Sequence, residues 1–481
     1  MHTVFAYSPT MTADTSPAEG ALERSVARFV GAFGRAHIDA AGLTVAKALL
    51  KDQLAVQVGA SQLPWSRDVR RCLHKPRPGL ASVVADAQRM DAGDAAYLNA
   101  VYGGGFEYDD VAGNGHPGCS VVPVALALGE EIGATLGAVV VAMVAGYEAY
   151  VRIGRLASPD LVNRGWHPHS VLAHFGGAAV AAKLLGFDEA MTLNALGIAL
   201  SHACGTTEYT STGGSIKRVH AGIAARNGIH CAELARGGIT GPRLWLTGKK
   251  GFYRNFIGRA VESGAELDFA LDAPLRLPQA WFKAYCSCGA HHAYIDAMQQ
   301  IRPRVAEVES IEARVQAMTA NLAARPEAAQ EGPRSIEELQ FSLQLQMALS
   351  ALGLGNGYAT HLDFLAGRLQ LPADGHVVAL ARRIKLQHAP ELDQRFPRNF
   401  VADVVVRYRN GSSQSIFVEH ALGMPGRPFT AAEHEAKLHE LSFGVLGEAK
   451  ARKLFALIDE LDYERPVQDL TALLRGAQAG A

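Results

Sequence analysis

The sequence predicts a mainly α protein, in which a large all-helical domain is joined to a smaller α+β unit. Three observations predict it. From about Glu19 to Phe256, helical periodicities follow one another between glycine and proline breaks, with few alternating runs. From about 274 to 424, period-two alternation and β-branched residues take over. After Gly423 the helix signals return. The expected division is a flexible lead-in over 1–20, a helical domain over 21–273, an α+β unit over 274–424 and a helical tail over 425–481 that rejoins the first domain.

Composition narrows the function classes. A chain of 481 residues, 48% hydrophobic and with 49 glycines, suits a large core of closely packed small side chains. Its 46 basic and 47 acidic residues leave a net charge of -1, which offers no general attraction to nucleic acid or anionic lipid. The N-terminus has neither the basic start nor the apolar core of a secretion signal, and six scattered cysteines fit reduced thiols, so a cytoplasmic protein without disulfides is expected.

Taken in order, the elements have local causes. The most apolar stretch, Ile132 to Tyr147, is short for a membrane span and holds three glycines, so it reads as a buried helix. Within a helix from Ala134 to about Leu156, Glu148 and Arg152 stand four apart and can pair. AHFGGAAVAAKLLG places Gly177, Ala178 and Ala181 along one face, where another backbone can approach, and Gly186 stops the helix. RVAEVESIEARVQAM, HVVALARRIKLQHAPEL and NFVADVVVRYRNGSSQSIFVEHAL read as strands, with a hairpin at Asn410-Gly411. Thr430 is a candidate N-cap, followed by amphipathic stretches at Glu448 to Leu461 and Val467 to Leu474.

Phosphate-binding glycine motifs are absent, which disfavours a nucleotide cofactor. Cys286, Cys288, His291 and His292 do not have a usual zinc spacing, so no metal is expected, although a zinc-dependent hydrolase using them is a competing reading. Chemistry concentrates instead in four glycine-rich breaks. FEYDDVAGNGHPGCSVVP puts Glu107, Asp109, Asp110 and His116 in one loop, where carboxylates can orient and tune a histidine; the bland alternative is turn-capping aspartates. NRGWHPHS contributes His167 and His169, with His169 as the surface histidine of the pair. TSTGGSIKRVHAG opens a helix with Lys217 and His220, an anion site fit for a carboxylate, against the alternative of a solvated lysine; Arg218 is expected to be exposed. WFKAYCSCGAHHAYIDAM sets Lys283 at the domain junction.

With these segments in order, and with LLKDQLAVQVGAS, VAGYEAYVRIGR and KKGFYRNF between them, the chain resembles the MmgE/PrpD family. The resemblance implies a helical domain with an α+β lid, a homodimer, and cofactor-free lyase chemistry on a small polycarboxylate. It implies His116 or His167 as general acid/base, Lys217 and Lys283 as carboxylate clamps with His220 beside them, and Glu107, Asp109 and Asp110 orienting the histidines. Dehydration of an acid such as 2-methylcitrate is the expected reaction; decarboxylation of a cis-aconitate-like acid, epimerisation, or a non-catalytic binding role are the alternatives. The chain departs from the family pattern at Glu107, Val111, Cys286, Gln344 and Leu345, which bears on the substrate.

Overall fold

The computed structural model describes residues 19–113, 115–261, 264–323 and 325–476. The expectation of a flexible lead-in falls almost wholly on residues outside these. The described chain is mainly helical, as the periodicities predict. Its apolar side chains form two main clusters, one built by the helices up to residue 286 together with the C-terminal helices, the other by residues between 293 and 424 with Val111 and Trp281.

In the first cluster the helices Ala92–Gly104, Gly118–Glu131, Leu136–Ala157, Pro168–Leu184 and Lys217–Arg236 pack on one another. Small residues set the spacing: a Cβ on Gly228 would lie 2.6 Å from the Gly177 carbonyl carbon, so these two helices meet backbone to backbone. Leu136–Ala157 is apolar and long enough to cross a membrane by length and composition, but 89% of its most apolar window is buried inside the protein. It starts later than the apolar run predicts, because Thr135 caps it by accepting from the Ala138 N–H, and Ile132 is left exposed. The predicted Glu148–Arg152 pair forms at 2.8 Å, fully buried, and Glu148 also accepts from the Arg276 and Leu277 N–H groups.

The second cluster lines a four-stranded sheet in the order Ile384–His388, Val308–Val315, Ala402–Tyr408, Ser413–Val418. The first pair is parallel and the others antiparallel, with Ile311 facing Ile384 on one side and Val406 on the other. Gly411, at φ +84°, makes the predicted hairpin turn. HVVALARRIKLQH is strand only in its second half; His376–Ala381 is a helix, since its Val377, Val378, Leu380 and Ala381 form a continuous apolar run with no alternation to set a strand face.

Two contacts position the site. Asp110 and Val111 pair antiparallel with Phe282 and Trp281, which brings the acidic loop beside Lys283. The Ala431–Leu446 helix, capped by Thr430 in a reciprocal capping box with Glu433, packs on Ala40–Ala60 and sends Lys437 to Asp52 at 2.8 Å and to the Tyr108 carbonyl at 2.8 Å.

Candidate active site

The acidic loop follows the Ala92–Gly104 helix, and Glu107 within it holds φ +59°, a left-handed conformation uncommon outside glycine. Its carboxylate bridges the two predicted lysines: Oε1 contacts Lys217, and Oε2 accepts from Lys283 Nζ at 3.0 Å. Lys283 is fully buried and also lies 3.5 Å from Asp109. Burial, then the Lys283 charge, pull Lys217 well below the ordinary lysine range, while the touching Glu107 carboxylate acts in the opposite sense.

His116 Nδ1 lies 3.0 Å from the Asp110 carbonyl oxygen and 3.3 Å from Asp109 Oδ2. Both neighbours are acceptors, so Nδ1 carries a proton and Nε2 is the nitrogen free to exchange one. Burial would raise the Asp109 carboxyl, but His116 and Lys283 outweigh it and hold Asp109 well below the usual carboxylate range. Asp110 goes the other way: burial, then the Asp109 and Asp52 charges, push it up to about 7. It lines neither cavity described below, and its carboxyl accepts from Gln53, Tyr147 and the Gly118 N–H at 3.2 Å each.

His167 precedes the Pro168–Leu184 helix, where its N–H donates to the Gly205 carbonyl at 3.0 Å and its Nδ1 meets His220 Nδ1 at 2.8 Å. His169 corrects the expectation of a surface histidine. It is buried between His116 and His167, ring centres 5.9 and 5.8 Å away, because the first helical turn faces inward onto the loop. Its Nδ1 lies 3.4 Å from the Tyr150 hydroxyl, which accepts the His116 N–H at 3.2 Å. Burial holds His167 well below the ordinary histidine range; burial and the His116 charge bring His169 down to about 3, and burial with Lys217 brings His220 to about 4. These three rings are neutral near pH 7.

Arg218 is also buried, against expectation. It pairs with Glu337 at 2.8 Å and lies 3.7 Å over the Trp65 ring, so the neighbour of Lys217 is part of the contact between the two clusters. Lys217 itself lines two cavities that share part of their walls, the smaller called the inner one and the larger the outer one. The inner one, of about 100 Å³, is walled by Glu107, His116, His167, His169, Tyr209 and Lys217 on its polar side, and by Val111, Met318, Leu322, Phe341, Phe396 and Phe400 elsewhere. The outer one, of about 580 Å³, shares Glu107, Tyr209, Lys217 and Phe341 with it. Of the residues predicted from sequence, Glu107, His116, His167 and Lys217 wall the inner cavity; Asp109, Lys283 and His220 support them from behind, and Asp110 braces the loop.

Among the described residues no group of three His, Cys, Asp or Glu side chains is placed to hold a metal ion. His291 and His292 are buried with unpaired ring nitrogens, and burial holds both below the ordinary range. Sequence reading missed Tyr150, Tyr209, Phe341 and Lys437. Tyr150 and Tyr209 lie in helical runs with nothing local to distinguish them, and Lys437 is 329 residues from the carbonyl it holds.

Comparison with known proteins gives a consistent picture. A family model described as the MmgE/PrpD N-terminal domain matches residues 24–263, and one described as the MmgE/PrpD C-terminal domain matches residues 285–463. The chain is 28% identical over 454 residues to a cis-aconitate decarboxylase of Aspergillus terreus, covering 89% of this chain and 90% of that protein. It is 27% identical to a cis-aconitate decarboxylase-like protein of Aspergillus oryzae, over 97% of this chain and 100% of that protein, and 25% identical to a mouse cis-aconitate decarboxylase, over 79% and 78%.

Proposed function

The chain belongs to the MmgE/PrpD family, and from that premise we propose that it is a carbon-carbon lyase, removing a carboxyl group as carbon dioxide from a small unsaturated polycarboxylic acid. The similar proteins named as cis-aconitate decarboxylases favour decarboxylation over the dehydration expected from sequence.

The observation that carries the reading is His116, backed by Asp109, on the polar side of a cavity whose other side is apolar, with Lys217 on the same wall. Lys217 holds the carboxylate that stays. The leaving carboxylate lies against Phe341, Phe396 and Phe400, where loss of hydration raises its energy more than that of the transition state, whose charge is dispersed. As the bond to the departing carbon dioxide breaks, its electron pair enters the conjugated system and ends as an enolate-like charge on the retained carboxylate. His116 delivers a proton to carbon from Nε2, and the ionised Asp109 stabilises the imidazolium form that donates it. His167, His169 and His220, held neutral, order the wall and add no competing cation.

Nuclear magnetic resonance in deuterated water tests this with cis-aconitate, 2-methylcitrate and unsaturated dicarboxylic acids. The expected result is release of carbon dioxide and a product carrying one solvent deuterium on carbon. Loss of water with all carboxyl groups retained would instead identify a dehydratase.

A further inference from the structure

We propose that Glu107 is the specificity-determining residue of this cavity: its carboxylate occupies the anion position between Lys217 and Lys283, so that the site selects a dicarboxylic acid with an apolar branch over a tricarboxylic acid. The inference rests on the lyase reading and narrows its substrate class.

Glu107 takes the place a substrate carboxylate would take. Its left-handed backbone aims the side chain between the two ammonium groups, one carboxylate oxygen to each. A non-glycine residue keeps such a conformation where its surroundings hold it, and two buried ion pairs do so here. Lys283 is fully buried, lines neither cavity, and has its charge matched by Glu107 and Asp109.

Apart from His116, whose imidazolium is the proton donor, the remaining wall offers no further cation among the described residues. Among the described residues lining the inner cavity, Lys217 is the one ammonium and Glu107 the one carboxylate, and His167 and His169 are neutral. In the outer cavity the cationic Lys217, Arg218, Arg325 and Arg334 are matched by Glu107, Glu327, Glu337 and Glu338, with Arg218 on Glu337 and Arg334 on Glu338.

A dicarboxylate fits this distribution: one carboxylate shares Lys217, and the other, the one to be lost, meets the apolar wall. A third carboxylate would lose its hydration against Phe341 and Phe400, or face the Glu107 charge. A methyl group in its place would bury apolar surface on apolar surface.

Binding of two saturated acids that lack the double bond for turnover tests the proposal, by calorimetry on the full chain. Methylsuccinate carries two carboxylates and a methyl branch, and tricarballylate carries three carboxylates. The wild type is expected to bind methylsuccinate at least about tenfold more tightly, and Glu107→Gln, which keeps the shape and removes the charge, to strengthen tricarballylate binding about tenfold with little change for methylsuccinate. Lys217→Met should weaken both. Equal binding of the two acids by the wild type, which needs no variant to fold, or an equal change for both in Glu107→Gln, overturns the role of Glu107 while leaving the lyase reading intact. Failure of the wild type to bind either acid overturns both.

Discussion

At the scale of single residues, two buried titrations have opposite signs. Asp110 ionises near 3.8 in the unfolded chain and near 7 in the folded one, so the folded state binds the extra proton between those values. Its contribution to stability is therefore present below about 4 and lost as pH rises towards about 7. Asp110→Asn, which keeps that site neutral, should flatten the fall, read as the denaturant midpoint against pH. His169 is the reverse: neutral down to about 3 in the fold and protonated below about 6.5 when unfolded, it costs stability as pH falls through that interval. His169→Gln should reduce the acid loss between pH 6.5 and 5 by up to about 1.4 kcal/mol per pH unit. The sequence showed the chemical types at both positions, but burial decides their protonation, and burial is a property of the packed loop. The left-handed conformation of Glu107 was illegible for the same reason, since no local motif asks for it.

At the scale of elements, the helices and the hairpin were readable because their causes are local: Thr430 caps its helix, Gly411 turns its hairpin, and Gly177 leaves a bare helix face. What long-range packing does with them was not. Lys437 reaches across from the C-terminal helix to hold the acidic loop through the Tyr108 carbonyl and to neutralise Asp52. Lys437→Met removes the closer of two basic side chains, Lys437 and His434 at 3.3 Å, from the buried Asp52, and should destabilise the protein by about 3–5 kcal/mol in denaturant unfolding. Gly228→Ala, whose Cβ would collide with the Gly177 backbone, should cost about 1–3 kcal/mol by the same measurement. Thr430→Ala, at an exposed cap, should cost only about 1 kcal/mol.

At the scale of the whole molecule, the four glycine-rich breaks were legible one by one because polar residues stand out between apolar helices. Their convergence was not, since helical periodicity carries no information about which ends meet. The short strand pair of Asp110 and Val111 with Phe282 and Trp281 makes that convergence, joining residues about 170 positions apart in sequence and putting Lys283 behind Glu107. In the proposed reading the resulting cavity supplies a proton-donating histidine backed by a carboxylate, a lysine clamp for the retained carboxylate, and an apolar wall. The most direct measurement compares carbon dioxide release by the wild type and by His116→Asn, with substrate binding measured separately on both. The account predicts a fall in kcat of about 10²–10⁴-fold with binding retained, because His116 acts on the developing charge rather than on the bound acid. Release of carbon dioxide at the wild-type rate by His116→Asn would contradict it.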